Sequence, residues 1–369
     1  MSGTSTTKLI ERYYQSPEPT DFFTSLFRAP EQNFHKSELV EIDIIRDDED
    51  IAVPVLNMTS GRRGADLTKY VNKGFTPAVL KYETTIPASE LMKRAPGVDP
   101  FTDPNFALAA ADAAFRATRK FEQMIRRTVE LMCAQVMQTG VITLVDAAST
   151  TIYSCDYQPK DTTGTLASGD NIVTTGTAWA TDGATGDPIG DLTTLAVNIT
   201  TNGKLPPTDI AFGADAWSRF IANTTVKKQW DFINANRGTL VQPTDRGGAM
   251  YQGTIVIGAR SYRLWLYDGM YKSPAGTMTR FLTSDKAVMW ADSGRRDLTF
   301  GDTPVIEAAR DARALSYLPR SLNSSANRIG MNLGAYFLND GSGLVVTVDS
   351  RPDAIPTAID TFGCIDVVP

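Results

Sequence analysis

Residues 103–140 read DPNFALAAADAAFRATRKFEQMIRRTVELMCAQVMQTG and carry the start and stop signals of one long helix. Asp103 is a good N-cap, and Pro104 suits the first helical position, where a missing N–H costs nothing. Gly140 readily takes the left-handed backbone that follows a helix. Because neither proline nor glycine occurs between these signals, the sequence predicts a helix over residues 104–139, about 54 Å long.

This helix is predicted to be amphipathic. Apolar residues recur at spacings of three or four, and alanines dominate the first half, which would let another backbone approach closely. The apolar stripe consists of Phe106, Ala110, Ala114, Ala117, Phe121, Met124 or Ile125, Leu131 or Met132, and Val136. The opposite face is expected to carry Asp112, Arg116, Arg119, Lys120, Glu122, Arg126, Arg127 and Glu130, with i,i+4 ion pairs among them. The pattern fits either a long helix lying on a sheet or the spine of a flat, elongated subunit.

The composition indicates a folded, acidic protein. The chain has 369 residues, 42% of them hydrophobic, and a net charge of −6, which argues against a surface built to grip nucleic acid phosphates. No apolar run is long enough to span a bilayer, and the first residues lack the apolar core of a signal peptide. His35 is the sole histidine, so a histidine-based metal site or triad is not expected. The distant cysteines Cys133, Cys155 and Cys364 predict neither a disulfide framework nor a zinc site, and they fit a reducing cytosolic origin.

Residues 1–30 are predicted to form an extended arm with one short helix, because prolines interrupt them. The end of this arm holds an apolar cluster formed by Phe22, Phe23, Leu26 and Phe27. A cluster of this size on a terminal arm predicts docking, either onto this subunit or onto a neighbour.

Residues 36–86 are predicted to form an extended hairpin. The stretches 36–46 and 75–86 alternate apolar and polar side chains and are expected to pair, with a short strand at 51–56 and a long polar tip between them. The tip has too few apolar residues to form a core of its own, so it is expected to meet a partner. Arg62 and Arg63 at this tip fit either pairing with a neighbour's carboxylates or plain solubility.

The chain after the long helix is predicted to be rich in strands. Residues 141–187 read as short strands and loops, and Asp187-Pro188 opens a predicted helix that ends at Gly203. Helices and short strands alternate from 188 to 290, which predicts a compact α/β unit. Residues 295–369 are mainly strand and loop, and the final strand is expected to pair back into a sheet.

No motif for catalysis stands out. The glycine loops that bind phosphates, the GxSxG elbow and the HExxH zinc motif are all absent. The acidic run 47–50 lacks the oxygen spacing and the glycine of a calcium loop. An arm, a projecting hairpin and a long helix around a compact unit instead predict an α+β subunit that interlocks with copies of itself.

The order of elements and several residue runs together suggest a family. The runs are Ser60-Gly61 with Phe75-Thr76-Pro77 and Lys81; Arg94, Pro96, Asp99-Pro100 and Asp103-Pro104; Asp209 to Phe212 with Trp217, Phe220 and Val226-Lys227; and Tyr251, Gly253, Tyr267, Gly269, Tyr271, Phe281-Leu282 and Val288-Met289. In this order they resemble the phage lambda-type major capsid protein family (E-type head proteins), which has the Hong Kong 97 capsid fold. Residues 161–187 and 300–345 depart from the pattern.

The resemblance implies a division of the chain into the parts of that fold. These are an N-terminal arm (1–35), an extended loop (36–90), a peripheral domain with the spine helix (91–187), an axial domain (188–290), and a return to the peripheral domain with a closing axial strand (291–369). The arm, to about residue 30, and the extended loop would lie over neighbouring subunits.

The resemblance implies a structural role without catalysis, cofactor or metal. The chain would form the hexamers and pentamers of an icosahedral phage shell that encloses double-stranded DNA without sequence-specific binding. Expected partners are a scaffolding protein, an outer decoration protein and a portal, with no membrane. The protein would belong to the virion capsid and assemble in the host cytoplasm. Since the sequence starts at Met1, no N-terminal scaffolding segment is expected to be removed.

The residues expected to take part in assembly lie on the arm, the loop and the charged face of the helix. They are Phe22, Phe23, Phe27, Arg62, Arg63, Lys69, Lys73, Arg116, Arg119, Arg126 and Arg127. The charged face is expected to point toward the inside of the shell or toward a neighbouring subunit. Some members of the fold join lysine to asparagine between subunits, and Lys69 and Lys73 could reach a neighbour, but lambda-type members do without such cross-links.

Two other functions are compatible with the residues. An encapsulin, the shell protein of a cellular nanocompartment, shares the fold and would bind a cargo peptide on its inside. A cytosolic enzyme with a carboxylate site would need an apolar pocket with converging polar groups, and no residue in the sequence points to one.

Overall fold

A computed structural model describes most of the chain. The described residues are 19–30, 40–45, 70–91, 106–157, 164–166, 169–228, 245–301, 330–338 and 340–368. The helices are the 3-10 turn Thr24–Leu26, α1 (Ala88–Leu91), α2 (Phe106–Thr139), α3 (Pro188–Gly203) and α4 (Ala214–Ala222). The strands are β1 (Val40–Ile45), β2 (Tyr70–Phe75), β3 (Leu80–Pro87), β4 (Val141–Val145), β5 (Thr151–Asp156), β6 (Gly164–Thr165), β7 (Ile172–Thr174), β8 (Asp209–Phe212), β9 (Asp245–Arg246), β10 (Ala249–Ile257), β11 (Arg260–Tyr267), β12 (Met270–Lys272), β13 (Met278–Arg280), β14 (Lys286–Trp290), β15 (Asp297–Phe300), β16 (Met331–Phe337), β17 (Gly343–Ser350), β18 (Pro352–Ile355) and β19 (Phe362–Asp366).

The predicted long helix is confirmed as α2, a single run of 34 residues. It ends as its sequence indicates, because Gly140 has a φ of 68° and its N–H donates to the carbonyl of Val136 at 2.8 Å. The predicted cap Asp103-Pro104 lies outside the described residues. Ala110 and Ala114 are fully buried, so the alanine-rich half lies against the core, as the sequence predicts.

A three-stranded antiparallel sheet in the order β16-β17-β3 shares its core with α2. Val346 of β17 pairs with Thr84 of β3, and Tyr82 of β3 stacks on Phe121 of α2 with ring centroids 5.8 Å apart. Residues 80–86 of the alternating stretch therefore belong to this sheet and do not form the second arm of the projecting hairpin.

The hairpin has a different second strand. β1 pairs with β2, and Ile45 lies opposite Tyr70. The prediction was wrong on this point because Tyr70, Val71 and Phe75 favour a strand within a segment whose glycine and charges suggested a loop, and because Pro77 separates that strand from β3. The predicted strand at 51–56 lies outside the described residues.

The largest sheet has eight strands in the order β6-β7-β19-β14-β8-β11-β10-β9. The final strand β19 lies between β7, to which it is parallel, and β14, to which it is antiparallel. This confirms that the end of the chain pairs back into a sheet. β6 and β7 come before residue 188, where the axial domain is predicted to begin, yet they belong to this sheet; the domain borders stay a prediction.

Both faces of the central strands are buried, and alternate residues enter different cores. The residues on one face share a core with α2: Ala211, Trp265, Tyr267, Val288, Trp290, Phe362 and Cys364. The residues on the other face share a core with α3 and α4: Ile210, Phe212, Leu264, Ala287, Met289 and Ile365. This explains why β8 and β14 read as nearly continuous apolar runs. The helix predicted at 188–203 is confirmed as α3, and the Asp187 carboxylate accepts the Gly190 N–H at 3.1 Å at its start.

Candidate assembly surface

The charged face of α2, defined as Arg116, Arg119, Lys120, Arg126 and Arg127, is not buried in the core of the subunit. Arg127 is half-buried and the other four are exposed. Both predicted ion pairs form: Arg116 Nη2 lies 3.2 Å from Asp112 Oδ2, and Arg126 Nη2 lies 2.7 Å from Glu122 Oε1. Such exposed helix pairs contribute only about 0.3–0.5 kcal/mol each. The face is therefore available to a partner.

The apolar cluster of the arm docks onto its own subunit. Phe22 and Phe23 are fully buried and Phe27 is nearly so. The ring of Phe22 lies 5.1 Å from that of Tyr267 and 6.0 Å from that of Trp290, so it fills the space between α2 and the eight-stranded sheet. We call residues 19–30 the docked segment.

This result corrects the expectation that the whole arm, residues 1–30, lies over a neighbouring subunit. The docked segment completes the core of its own chain, because large aromatic rings gain more from this permanent burial than from an exposed position. Of the two alternatives for the cluster, the structure shows the first.

A buried carboxylate on α2 holds the turn of the docked segment. Glu130 Oε1 accepts the Phe23 N–H at 2.9 Å and the Tyr267 hydroxyl at 2.8 Å. Its Oε2 accepts the Thr24 N–H at 2.8 Å and the Thr24 hydroxyl at 2.7 Å. The sequence placed Glu130 on the exposed charged face, and this was wrong, since its side chain is 0% exposed.

The surroundings of Glu130 favour its neutral form more than water does. Burial raises the pKa of this carboxyl above its ordinary range, although hydrogen bonds from Thr24, Phe23 and Tyr267 act in the opposite direction. No cation forms an ion pair with it among the described residues. Hydrogen bonds alone compensate its burial.

The other end of the docked segment is held by backbone pairing. The Arg28 N–H donates to the Arg296 carbonyl at 2.8 Å, and the Leu298 N–H donates to the Arg28 carbonyl at 2.7 Å. Arg296 is 2% exposed, and its guanidinium donates to the Ala291 carbonyl through two nitrogens at 3.2 Å. Burial lowers the pKa of Arg296 to about 10. The segment is thus attached to the subunit at both ends.

The residues expected on the extended loop are only partly described. Lys73 lies on β2 opposite Ile42, while Arg62, Arg63 and Lys69 lie outside the described residues. Their part in assembly stays a prediction.

Features of other protein classes are not found in the described ranges. Within them, no three histidine, cysteine or acidic side chains are grouped so that they could hold a metal ion, and the buried Cys133, Cys155 and Cys364 form no disulfide with one another. No helix in this part of the chain has the length and apolar character needed to cross a membrane.

Comparison with protein families gives a match over residues 5–320, to the family described as phage major capsid protein E. The chain belongs to this family. It is therefore a phage major capsid protein, as the residue runs suggest, and membership implies a structural, non-enzymatic role. No curated protein matches the sequence.

Comparison with solved structures also gives matches. A proposed prophage capsid protein from E. coli CFT073 superposes with a TM-score of 0.55 at 16% identity, over 81% of this chain and 79% of that one. A structure from Gordonia phage Cozz has a TM-score of 0.45 at 8% identity, over 97% and 90%. The SrpI encapsulin from Synechococcus elongatus PCC 7942 has a TM-score of 0.41 at 9% identity, over 91% and 84%. The first similarity identifies the fold as the capsid fold of phages, and the other two are too weak to separate a phage shell from an encapsulin shell.

Sequence reasoning missed Glu130, although a signal for it exists. The end of α2 reads VELMCAQVM over residues 129–137, and Cys133, Ala134 and Met137 share the face of Glu130 at helical spacing. All three are fully buried. A helix that is apolar on all sides is buried on all sides, so a carboxylate within it needs partners from elsewhere in the chain.

Proposed function

We propose that this capsid protein assembles into hexamers and pentamers of an icosahedral shell around double-stranded DNA. The observation that carries the proposal is the family match over residues 5–320. The exposed charged face of α2 supports the proposal, and we expect the β1–β2 hairpin to contact neighbours as well. Residues 1–18 and the hairpin reach over adjacent subunits, and the charged face points to the inside of the shell or to a neighbour.

The acidic balance of the chain is compatible with enclosed DNA. With a net charge of −6, the subunit as a whole repels phosphates, which disfavours tight binding of the packaged duplex. Assembly uses a scaffolding protein, a decoration protein on the outside and a portal at one vertex, and takes place in the host cytoplasm.

Electron microscopy of the purified protein tests this proposal. Closed shells, tubes or capsomer rings in negative stain are expected, and shells from phage-producing cells should contain DNA. A protein that stays a monomer or small dimer at high concentration would exclude the shell. Shells that enclose a protein cargo and no DNA would favour an encapsulin.

A further inference from the structure

Glu130 connects three parts of the subunit. It belongs to α2, it accepts two backbone N–H groups from the docked segment, and it accepts the hydroxyl of Tyr267 at the end of β11. An apolar side chain of similar size would fill this space without the cost of burying a carboxylate. Unlike an apolar side chain, the carboxylate makes directional hydrogen bonds, so its two oxygens fix the positions of specific donors.

The connection continues toward the N-terminus. The hydroxyl of Tyr267 also lies 2.9 Å from the Thr20 hydroxyl, and the Asp21 N–H donates to the Gly247 carbonyl at 3.1 Å. Thr20, Tyr267 and Glu130 therefore form a chain of hydrogen bonds near the start of the docked segment.

We propose that Glu130 is an arm-positioning residue: it fixes the direction in which the N-terminal residues leave the subunit, and so determines which part of a neighbouring subunit they reach. The inference rests on the proposed assembly into shells. It assigns to one residue on α2 the control of the contact that the N-terminal residues make with a neighbouring subunit.

Glutamine cannot replace Glu130, although it has nearly the same shape. Each carboxylate oxygen accepts a backbone N–H, from Phe23 at Oε1 and from Thr24 at Oε2. The amide nitrogen of glutamine has no lone pair to accept. In either amide orientation one backbone N–H is left buried without a partner, which is costly.

A protonated carboxyl group behaves differently from the amide. The proton can lie on Oε1 and point to the Tyr267 oxygen, whose own hydrogen then points to Thr20. Both backbone N–H groups keep their acceptors. The other titratable groups near this network are Tyr267 on β11, Cys133 on α2 and Asp21 on the docked segment. Burial, and after it the charge of Glu130, raises the pKa of both the Tyr267 phenol and the Cys133 thiol. Since burial raises the pKa of Glu130, the docked segment is held more firmly at low pH than at high pH.

Hydrogen–deuterium exchange of the unassembled subunit tests this positioning. In Glu130→Gln we expect the amides of residues 22–28 to exchange at least about tenfold faster at neutral pH, with α2 still protected. Thr24→Val removes one hydroxyl donor at constant volume and should give a smaller change in the same amides. In the wild type, protection corrected for intrinsic exchange should fall as pH rises through the Glu130 titration, and in Glu130→Gln it should stay level.

Glu122→Gln is the matched control on the same helix. Its carboxylate forms an ion pair with the exposed Arg126 and, among the described ion pairs, with no other residue, so exchange of residues 22–28 should not change. In electron micrographs, Glu130→Gln should give irregular or no shells where the wild type gives closed ones. Unchanged exchange in both Glu130→Gln and Thr24→Val, or normal shells from a variant with fast exchange, would overturn the proposal. If the wild type itself forms no shells, the proposed function fails, while the exchange data still decide whether Glu130 holds the segment.

Discussion

At the scale of single residues, Asp353 on β18 is a carboxylate enclosed entirely within the subunit. Its Oδ2 accepts hydrogen bonds from the hydroxyls of Tyr157 at 3.1 Å and Tyr153 at 3.4 Å, and its Oδ1 accepts the Ala354 N–H at 3.1 Å. Burial raises its pKa from 3.8 to about 7, although these hydrogen bonds lower it in part. The carboxyl group ties the β4–β5 region to β18.

This carboxyl group should make stability depend on pH. The folded protein binds its proton more tightly than the unfolded chain, so its contribution is complete below about pH 4 and is lost as pH rises toward 7, at roughly 1.4 kcal/mol per pH unit. Asp353→Asn stays neutral, and its amide can donate to both tyrosine oxygens while its carbonyl accepts the Ala354 N–H. In urea unfolding of the unassembled subunit between pH 4 and 8, we expect the stability of this variant to fall less steeply with rising pH than that of the wild type. The slope that remains includes the contribution of Glu130, whose pKa is also raised by burial.

The exposed Asp340 provides the control for Asp353. Asp340→Asn removes a carboxylate from a turn and should leave the downward slope between pH 4 and 7 in place. Parallel stability curves for the wild type and Asp353→Asn would show that Asp353 does not titrate in this range.

Gly140, just after α2, and Glu130, within it, show which details a sequence can predict. Gly140 could be predicted because a helix end is a local event, decided by the backbone of a few neighbouring residues. The apolar residues around Glu130 could have predicted its burial, but they could not predict its partners Phe23, Thr24 and Tyr267, which lie more than a hundred positions away. Long-range hydrogen bonds leave no local pattern.

At the scale of elements, the docked segment is the part of the arm that packs into the hydrophobic core of its own subunit. The sequence left open whether the cluster docks on this subunit or on a neighbour, because an apolar cluster does not specify its partner. The structure surrounds Phe22 with Phe23, Trp265, Tyr267 and Trp290. The segment should therefore stabilise the isolated subunit.

Phe22→Ala should lower the free energy of unfolding of the unassembled subunit by about 3–5 kcal/mol, because it leaves a cavity among four aromatic rings. Phe115→Ala is the control, since Phe115 on α2 is 48% exposed and its loss should change stability by about 0.5 kcal/mol or less. Urea unfolding measures both. Equal stabilities for the two variants would mean that Phe22 contributes little to its own subunit.

The extended hairpin shows how a correctly predicted strand can be assigned the wrong pairing partner. Alternation in residues 75–86 indicates a strand, and β3 is one, but alternation does not say which strand it pairs with. Its partner β17 begins at Gly343, far along the chain. The local partner of β1 is the less obvious β2, which begins at Tyr70.

At the scale of the whole molecule, the sequence predicted the order of parts better than their contacts. A long helix, a hairpin before it and a closing strand could be predicted, because each depends on periodicity and on signals at its ends. The eight-stranded sheet packs against α2 on one face and against α3 and α4 on the other. Only the folded chain shows which helix covers which face. Of the residues predicted to take part in assembly, Phe22, Phe23 and Phe27 are buried in their own subunit, and the roles of those on the loop and on the charged face of α2 stay predictions.

The β1–β2 hairpin allows a sharp test of assembly, because Ile45 and Tyr70 lie opposite each other. A tight turn of about two residues, such as Asn-Gly, can connect them in place of residues 46–69. This change keeps both strands and removes Arg62, Arg63 and Lys69. We expect a folded, soluble subunit with unchanged urea unfolding that forms no closed shells in electron micrographs.

An Arg62→Ala, Arg63→Ala double variant is the control. It keeps the length of the loop and removes two of its charges, so it tests the effect of charge separately from that of length. Normal shells from the shortened chain would show that the loop is not needed to interlock subunits, and the surfaces that hold neighbours together would then have to include the charged face of α2.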